Sequence, residues 1–104
     1  MLKLVYYVPE SHLEETKLAI FEAGAGGIGN YEHCAWQVKG LGQFKPLDGA
    51  DPFLGQVGQL EQVEEWRVET IVPESKAKLV LKALKASHPY EEPAFEFFQI
   101  LNID

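Results

Sequence analysis

The chain has 104 residues, 46% hydrophobic and 24% charged, with a formal net charge of -7 at pH 7. These proportions are typical of a globular protein, and the length fits a single domain over residues 1–104. The acidic balance argues against a nucleic-acid binder, because phosphate backbones would be repelled. The single cysteine, Cys34, excludes an internal disulfide. With no long apolar run and no signal-peptide start, we expect a cytoplasmic protein without membrane association.

The first half of the chain predicts a β-α-β unit. The segment Leu2–Val8 is apolar nearly throughout, as a central strand would be. Ser11 and Glu14 fit the S-x-x-E pattern and predict a capping box at the start of a helix. The apolar stripe of this helix has the 3.6-residue period and contains Leu13, Thr16, Ile20 and Ala23, with Ala19 beside it. Gly24 can close the helix in a left-handed conformation, and residues 31–38 predict the second strand.

The middle segment, residues 40–62, does not fit a minimal pattern of strands and helices. It contains five glycines and two prolines, which predict an irregular excursion or a long hairpin arm carrying Phe44 and Phe53. Exposed aromatic side chains on such an arm need a surface to lie on, and a neighbouring subunit would provide one.

The second half of the chain predicts another β-α-β unit. Residues 65–71 alternate, with Glu65, Arg67 and Glu69 on one face and Trp66, Val68 and Thr70 on the other. A second helix follows, whose apolar stripe contains Ala77, Val80, Leu81 and Leu84. Pro89 is expected to stop this helix and to hold His88 extended, before a last strand over residues 94–101.

A repeated four-residue signal relates the two halves. Val-Pro-Glu-Ser occurs at residues 8–11 and again at residues 72–75, each time between a predicted strand and a predicted helix. Proline suits the strand exit, and Ser11 and Ser75 suit helix N-caps. Two β-α-β halves predict an α+β, ferredoxin-like βαββαβ sandwich, with both helices on one face of an antiparallel sheet.

Three motifs resemble a known family over essentially the whole chain. They are the glycine-rich run from Gly24 through Cys34, the Gly40-x-Gly42-x-Phe44-x-Pro46 pattern with Pro52-x-x-Gly55, and Ala86-x-His88-Pro89-Tyr90-Glu91-Glu92-Pro93-Ala94. Together they are similar to the inserted domain of the Nif-three-like (YqfO-type) dinuclear metal-centre proteins, so the chain resembles a stand-alone version of that domain. The resemblance implies a PII/CutA-like fold and association, typically as trimers. It also implies that the family's metal ions lie in separate domains that this chain lacks.

The strongest candidate site is the run from His88 to Pro93. His88 with Glu91 or Glu92 could bind a divalent metal ion or a small ligand, with Tyr90 contributing its hydroxyl. We favour the alternative that the two prolines fix an extended turn in which these side chains have structural roles. His33 is a weaker metal candidate. The bare backbone at Gly26 and Gly29 could admit a small ligand, although the run follows a helix, unlike a phosphate-binding loop.

Two classes of function therefore remain open. The leading hypothesis is a non-catalytic ligand-sensing or assembly module that forms a homo-oligomer, a dimer or trimer, through the arm or the sheet edges. The alternative is a divalent-metal-binding protein or metal-dependent hydrolase that uses His88, Glu91, Glu92 and His33. A partner subunit that docks onto a protein carrying metal domains is a third option.

Overall fold

The computed structural model describes residues 1–104 and contains four strands, two α-helices and two short 3₁₀ turns. The main elements in chain order are β1 (Leu2–Val8), α1 (Leu13–Glu22), β2 (Ala35–Phe44), β3 (Glu61–Val72), α2 (Ala77–Ser87) and β4 (Phe95–Gln99). The sheet has the order β2-β3-β1-β4, and all neighbouring strands are antiparallel. The predicted ferredoxin-like βαββαβ sandwich is confirmed. Neither helix is long and apolar enough to cross a membrane.

The hydrophobic core lies between the two helices and one face of the sheet. Alternate residues of β1 point into it, and they meet apolar side chains of β3 and both helices, giving a cluster that includes Leu4, Tyr6, Val8, Val68, Val72, Ile20, Val80 and Leu84. The fully buried Tyr6 hydroxyl is 2.9 Å from Thr16 Oγ1, so this polar pair is satisfied inside the core. Burial raises the pKa of Tyr6 to about 12.

The repeated Val-Pro-Glu-Ser signal produces the same local structure twice, but not the predicted one. Both copies form a 3₁₀ turn before the α-helix, Glu10–His12 in the first half and Glu74–Lys76 in the second. The Pro9 carbonyl accepts from the His12 amide at 3.0 Å, and Pro73 accepts from Lys76 at 2.8 Å. No side chain caps either helix, and the Ser11 hydroxyl instead contacts His12 Nδ1 at 2.8 Å. The predicted capping box and serine N-caps are therefore wrong.

This correction predicts that Ser11 contributes little to stability. Ser11→Ala is expected to change the free energy of unfolding by less than about 0.5 kcal/mol, as at an ordinary exposed site. A serine that capped the helix would cost about 1 kcal/mol on the same change. Urea unfolding of Ser11→Ala beside Ser75→Ala, the same position in the second copy, checks this. A loss near the capping value in either variant would contradict it.

The end of α1 follows the sequence prediction. Gly24 has a φ of +122°, a backbone conformation that residues with a side chain rarely adopt. Its amide donates to the Phe21 carbonyl at 3.1 Å, and the next amide, of Ala25, donates to Ile20 at 3.0 Å. This pair of bonds is the Schellman arrangement that closes many helices. At the end of α2, His88 is extended, with φ -83° and ψ 138°, as expected before a proline.

The strand bounds differ most around the arm. The second strand begins at Ala35 rather than residue 31 and runs on to Phe44, while the third begins at Glu61 rather than residue 65. The last strand is shorter than residues 94–101 and ends at Gln99. Residues 40–44 pair with residues 61–65, so the long hairpin arm is confirmed and only residues 45–60 are irregular. The arm makes the molecule elongated, at 49 × 24 × 23 Å.

The other face of the sheet, which we call the open face, is covered by neither helix. Its middle carries a charge network in which Glu69 lies 3.4 Å from Lys3 Nζ and 3.2 Å from Arg67 Nε. Beside this network, Trp36, Val38 and Phe98 are 60%, 43% and 47% exposed. An apolar surface of this kind on a sheet face that lacks a covering layer indicates an interaction surface.

Candidate functional site

The loop at the tip of the arm folds back and forms a cleft against the open face. Within the loop, the Gly58 amide donates to the Pro46 carbonyl at 2.7 Å. The Phe53 ring packs against Tyr90 with 6.4 Å between centroids, and the Asp51 amide donates to Glu91 Oε1 at 3.1 Å. A cleft of about 770 Å³ opens between the loop, the arm and the segment around Tyr90. Pockets of this size bind small organic ligands.

His88 lies beneath the cleft rather than in it. Its Nε2 is 2.6 Å from the Tyr7 carbonyl, and its Nδ1 accepts from the Tyr90 amide at 3.1 Å. Because Nδ1 accepts from an amide, Nε2 must carry the proton that is donated to Tyr7, which assigns the neutral Nε2–H tautomer. The side chain is buried, and this desolvation lowers the pKa of His88. Both ring nitrogens are occupied within the protein, which supports the structural alternative for this residue.

Tyr90 and Glu65 form the polar end of the cleft. The Tyr90 hydroxyl donates to Glu65 Oε2 at 2.9 Å, and burial together with this carboxylate raises the pKa of Tyr90. Gly42, which pairs with Val63, lies against the Glu65 side chain, and a Cβ there would overlap the Glu65 carboxylate. The space beside Gly40 is also open, with nothing within 4 Å of a Cβ built on it. The two glycines therefore leave a hollow over the strand, into which the Glu65 carboxylate extends.

The remaining residues of the predicted site separate into two groups. Glu91 and Glu92 line the cleft together with Tyr90. Gly26 and Gly29 do not line it, and they belong to the turn after α1. The Gly26 amide donates to the Ile71 carbonyl at 2.8 Å, and its carbonyl accepts from Cys34 at 2.9 Å, so Gly26 joins that turn to the sheet.

His33 is not on the second strand, where the sequence placed it. The strand starts at Ala35, and His33 has a left-handed φ of 59° with its ring stacked on Phe21 at 4.7 Å. No group of three or more histidine, cysteine, aspartate and glutamate side chains lies close enough to hold a metal ion. A metal site at His88, Glu91 and His33 thus has no cluster of ligands in the structure.

Sequence reasoning missed Glu65, Arg67 and Tyr7 as lining residues of the cleft. The alternation of residues 65–71 placed Glu65 and Arg67 correctly on one face, but nothing indicated that the arm would fold back over that face. The signal that could have found them is the arm register, since Gly40 pairs with Glu65 and Gly42 with Val63. A glycine opposite a carboxylate, with a second glycine two residues further along the strand, marks a hollow on a sheet.

Comparison with known proteins gives relatives in sequence. The chain is 52% identical over 99 residues to a GTP cyclohydrolase 1 type 2 homolog of Mycobacterium leprae, and 51% identical over 98 residues to one of Bacillus subtilis. These matches cover 95% and 94% of the chain. The chain spans about a quarter of the length of these curated relatives, 26% in both cases. No protein-family model matches the chain.

Solved structures give neighbours in fold. The Bacillus cereus protein related to NIF3 superposes with a TM-score of 0.84 at 46% identity, over 97% of this chain and 26% of that one. CutA1 from Pyrococcus horikoshii superposes with a TM-score of 0.72 at 14% identity, over 100% and 87% of the two chains. The PII-like protein CutA from Nostoc gives 0.68 at 16% identity, over 96% and 81%. At such low sequence identity the two CutA structures show only that the fold is shared.

The fold is that of a PII/CutA-like module of the ferredoxin-like class. Within that class, the chain is similar in sequence to a segment that makes up about a quarter of the length of the NIF3-related proteins. The resemblance carried by the three sequence motifs is confirmed.

Proposed function

We propose that the chain is a non-catalytic assembly module that forms a homo-oligomer through the open face of its sheet. The observation that carries the proposal is the exposure of Trp36, Val38 and Phe98 on a face that neither helix covers. Aromatic residues and arginine are enriched at protein interfaces, and Arg67 lies beside Val38 on the same face. The face thus has the composition of an interface rather than of an ordinary solvated surface.

Two further features support a second copy of the chain as the partner. Only 17 of 104 residues are buried, so self-association would add apolar burial that the chain lacks alone. The charge network of Lys3, Arg67 and Glu69 contains both signs, which suits a surface that meets an identical copy of itself. The likeness in fold to PII/CutA proteins agrees with the trimer that the resemblance implies.

The cyclohydrolase name of the relatives is not part of this proposal. The chain matches 26% of those proteins, and the cleft residues provide no nucleophile activated by a neighbouring base. The metal-dependent alternative has no supporting observation, because His88 uses both ring nitrogens within the protein. Of the two roles expected for a non-catalytic module, assembly therefore has the more direct support.

A charge placed on the open face tests the proposal. Trp36→Glu is expected to lower the mass of the oligomer to that of a monomer at micromolar concentration, because the carboxylate would be desolvated without a partner at the interface. Sedimentation velocity measures the change. The matched control is Leu79→Glu on α2, a residue that is 55% exposed on the helix side against 60% for Trp36. A monomeric wild-type chain, or an equal loss of mass in both variants, would count against assembly through this face.

A further inference from the structure

The cleft beneath the arm loop is a second feature of the molecule, which adjoins the assembly surface and shares Val38 and Arg67 with it. Its rings come from three segments, the arm, the arm loop and the turn after α2, the last of which is far from the other two in sequence. Tyr90 lies between the other two, with centroids 6.3 Å from Phe44 and 6.4 Å from Phe53. The ring plane of Tyr90 is tilted by 48° to that of Phe44 and by 46° to that of Phe53, so neither pair is parallel. The three rings are therefore arranged as adjacent walls of a cleft rather than as a flat stack.

Charged groups give the cleft an acidic character. Glu65, Glu91 and Glu92 line it, against the two basic residues Arg67 and Lys45. Arg67 is already neutralised, since its Nε donates to Glu69 Oε2 at 3.2 Å and its Nη1 donates to Tyr7 Oη at 2.9 Å. The chain as a whole has a net charge of -7, which adds a long-range field of the same sign. An anionic ligand would meet repulsion here, whereas a cationic ligand would be attracted.

Glu65 is the carboxylate best placed to meet such a ligand. One oxygen, Oε2, accepts from Tyr90 and fixes the side chain, while Oε1 occupies the space that a Cβ on Gly42 would fill, and the space beside Gly40 is open. A fixed carboxylate beside tilted aromatic rings is the combination that proteins use to hold alkylated ammonium groups. Aromatic faces attract the cation through their quadrupoles, and the carboxylate supplies the opposite charge.

We propose that the cleft binds an organic cation, an ammonium group carried on an apolar or aromatic body, with the ammonium near Glu65 and the body against Phe44, Phe53 and Tyr90. The apolar part of the lining, which includes Leu47, Pro52 and Leu54, accommodates the body. The volume of about 770 Å³ admits a molecule of this kind without rearrangement of the sheet. This inference goes beyond the assembly role and rests on Glu65, Phe44, Phe53 and Tyr90, although Val38 and Arg67 line the cleft and also lie on the open face.

Benzyltrimethylammonium is a suitable probe, because it combines a permanent cation with an aromatic body. Titration into the isotopically labelled chain, followed by amide chemical shifts, is expected to give saturable changes at Phe44, Phe53, Tyr90 and Glu65 at millimolar concentration. Phenylacetate, with a similar body and the opposite charge, is expected to bind at least about tenfold more weakly. Added salt weakens binding of the cation, as screening requires.

Two variants separate the parts of the site. Glu65→Gln keeps an acceptor for Tyr90 but removes the charge, and is expected to weaken binding of the cation roughly fivefold to tenfold. Phe53→Leu keeps an apolar side chain but removes a ring at a half-exposed loop position, and is expected to weaken it roughly threefold. The control Glu74→Gln removes one charge from the exposed turn before α2 and should leave the affinity unchanged.

Three results would overturn the proposal. The first is equal binding of phenylacetate, and the second is binding of the cation that Glu65→Gln and Phe53→Leu leave unchanged. The third is the absence of cation binding together with a lower oligomer mass in Phe53→Leu. A second copy of the chain would then occupy the cleft in place of a small ligand. Loss of assembly in Trp36→Glu with cation binding intact would leave the cleft proposal standing, because Trp36 does not line the cleft.

Discussion

Replacing His88 with alanine is expected to lower the free energy of unfolding by about 2–4 kcal/mol. The β1–β4 ladder ends at Tyr6 and Phe95, so the Tyr7 carbonyl depends on His88 Nε2 for a donor. Alanine would leave that carbonyl and the Tyr90 amide without their partner and would open a void beside Tyr6, whose ring is 6.5 Å from the imidazole. Urea unfolding measures the loss.

Two comparisons make the His88 prediction specific. His88→Gln can still donate to the Tyr7 carbonyl, so it should recover part of the stability that alanine loses. Glu92→Ala removes an exposed side chain from the same motif and should change the free energy of unfolding by less than about 0.5 kcal/mol. If His88→Ala were as stable as the wild type, the structural role of His88 would be wrong and the ligand hypothesis would regain its main residue.

The same histidine predicts a direction for the pH dependence. Its pKa in the folded chain lies below the ordinary value of 6.5, chiefly because of burial. The unfolded chain therefore binds more protons in this range, and stability must fall as the pH drops below about 6.5 towards the folded pKa. His88→Gln lacks the group and should show a smaller fall between about pH 7.5 and 5.5. Urea midpoints across that range check the sign. A steeper fall in the variant would contradict it.

Local patterns predicted the parts of the fold that depend on single elements. The apolar run Leu2–Val8 gave the central strand with its observed bounds, and alternation gave the correct faces for residues 65–71. Gly24 and Pro89 marked the helix ends correctly because a left-handed residue and an X-Pro bond restrict the backbone by themselves. These are short-range steric effects, and a sequence displays them directly.

The wrong predictions concern residues whose local preference competes with a different local structure or with a tertiary contact. Ser11 has the right spacing for a capping box, yet Pro9 begins a 3₁₀ turn that places Ser11 inside the turn rather than at the helix start. Residues 31–34 look extended, but the bond between Gly26 and Cys34 holds them in a turn and delays the second strand. The cleft could not be foreseen, because it depends on the arm loop folding back onto Tyr90 and Glu91.

Substituting alanine for Gly26 is expected to cost about 2–4 kcal/mol of unfolding free energy, although only a methyl group is added. Gly26 has a φ of +85°, a conformation that costs an alanine about 1–2 kcal/mol. The new Cβ would also lie 2.9 Å from the Phe21 ring and 3.1 Å from the Cys34 amide nitrogen. The ring is held in place by the core on one side and by stacking on His33 on the other, so it cannot move away without loss of packing.

The neighbouring glycine supplies the matched control. Gly27 is not in the left-handed region, and a Cβ there would meet nothing within 4 Å, so Gly27→Ala should be neutral within about 0.5 kcal/mol. Urea unfolding of the two variants, with an unchanged dependence on denaturant, separates local strain from a change in the unfolded state. Equal stability of both would mean that the turn after α1 is not fixed by Gly26. The glycine would then be free for the close ligand approach that the sequence suggested, whereas a large loss confined to Gly26→Ala shows that its backbone is fully used in joining α1 to the sheet.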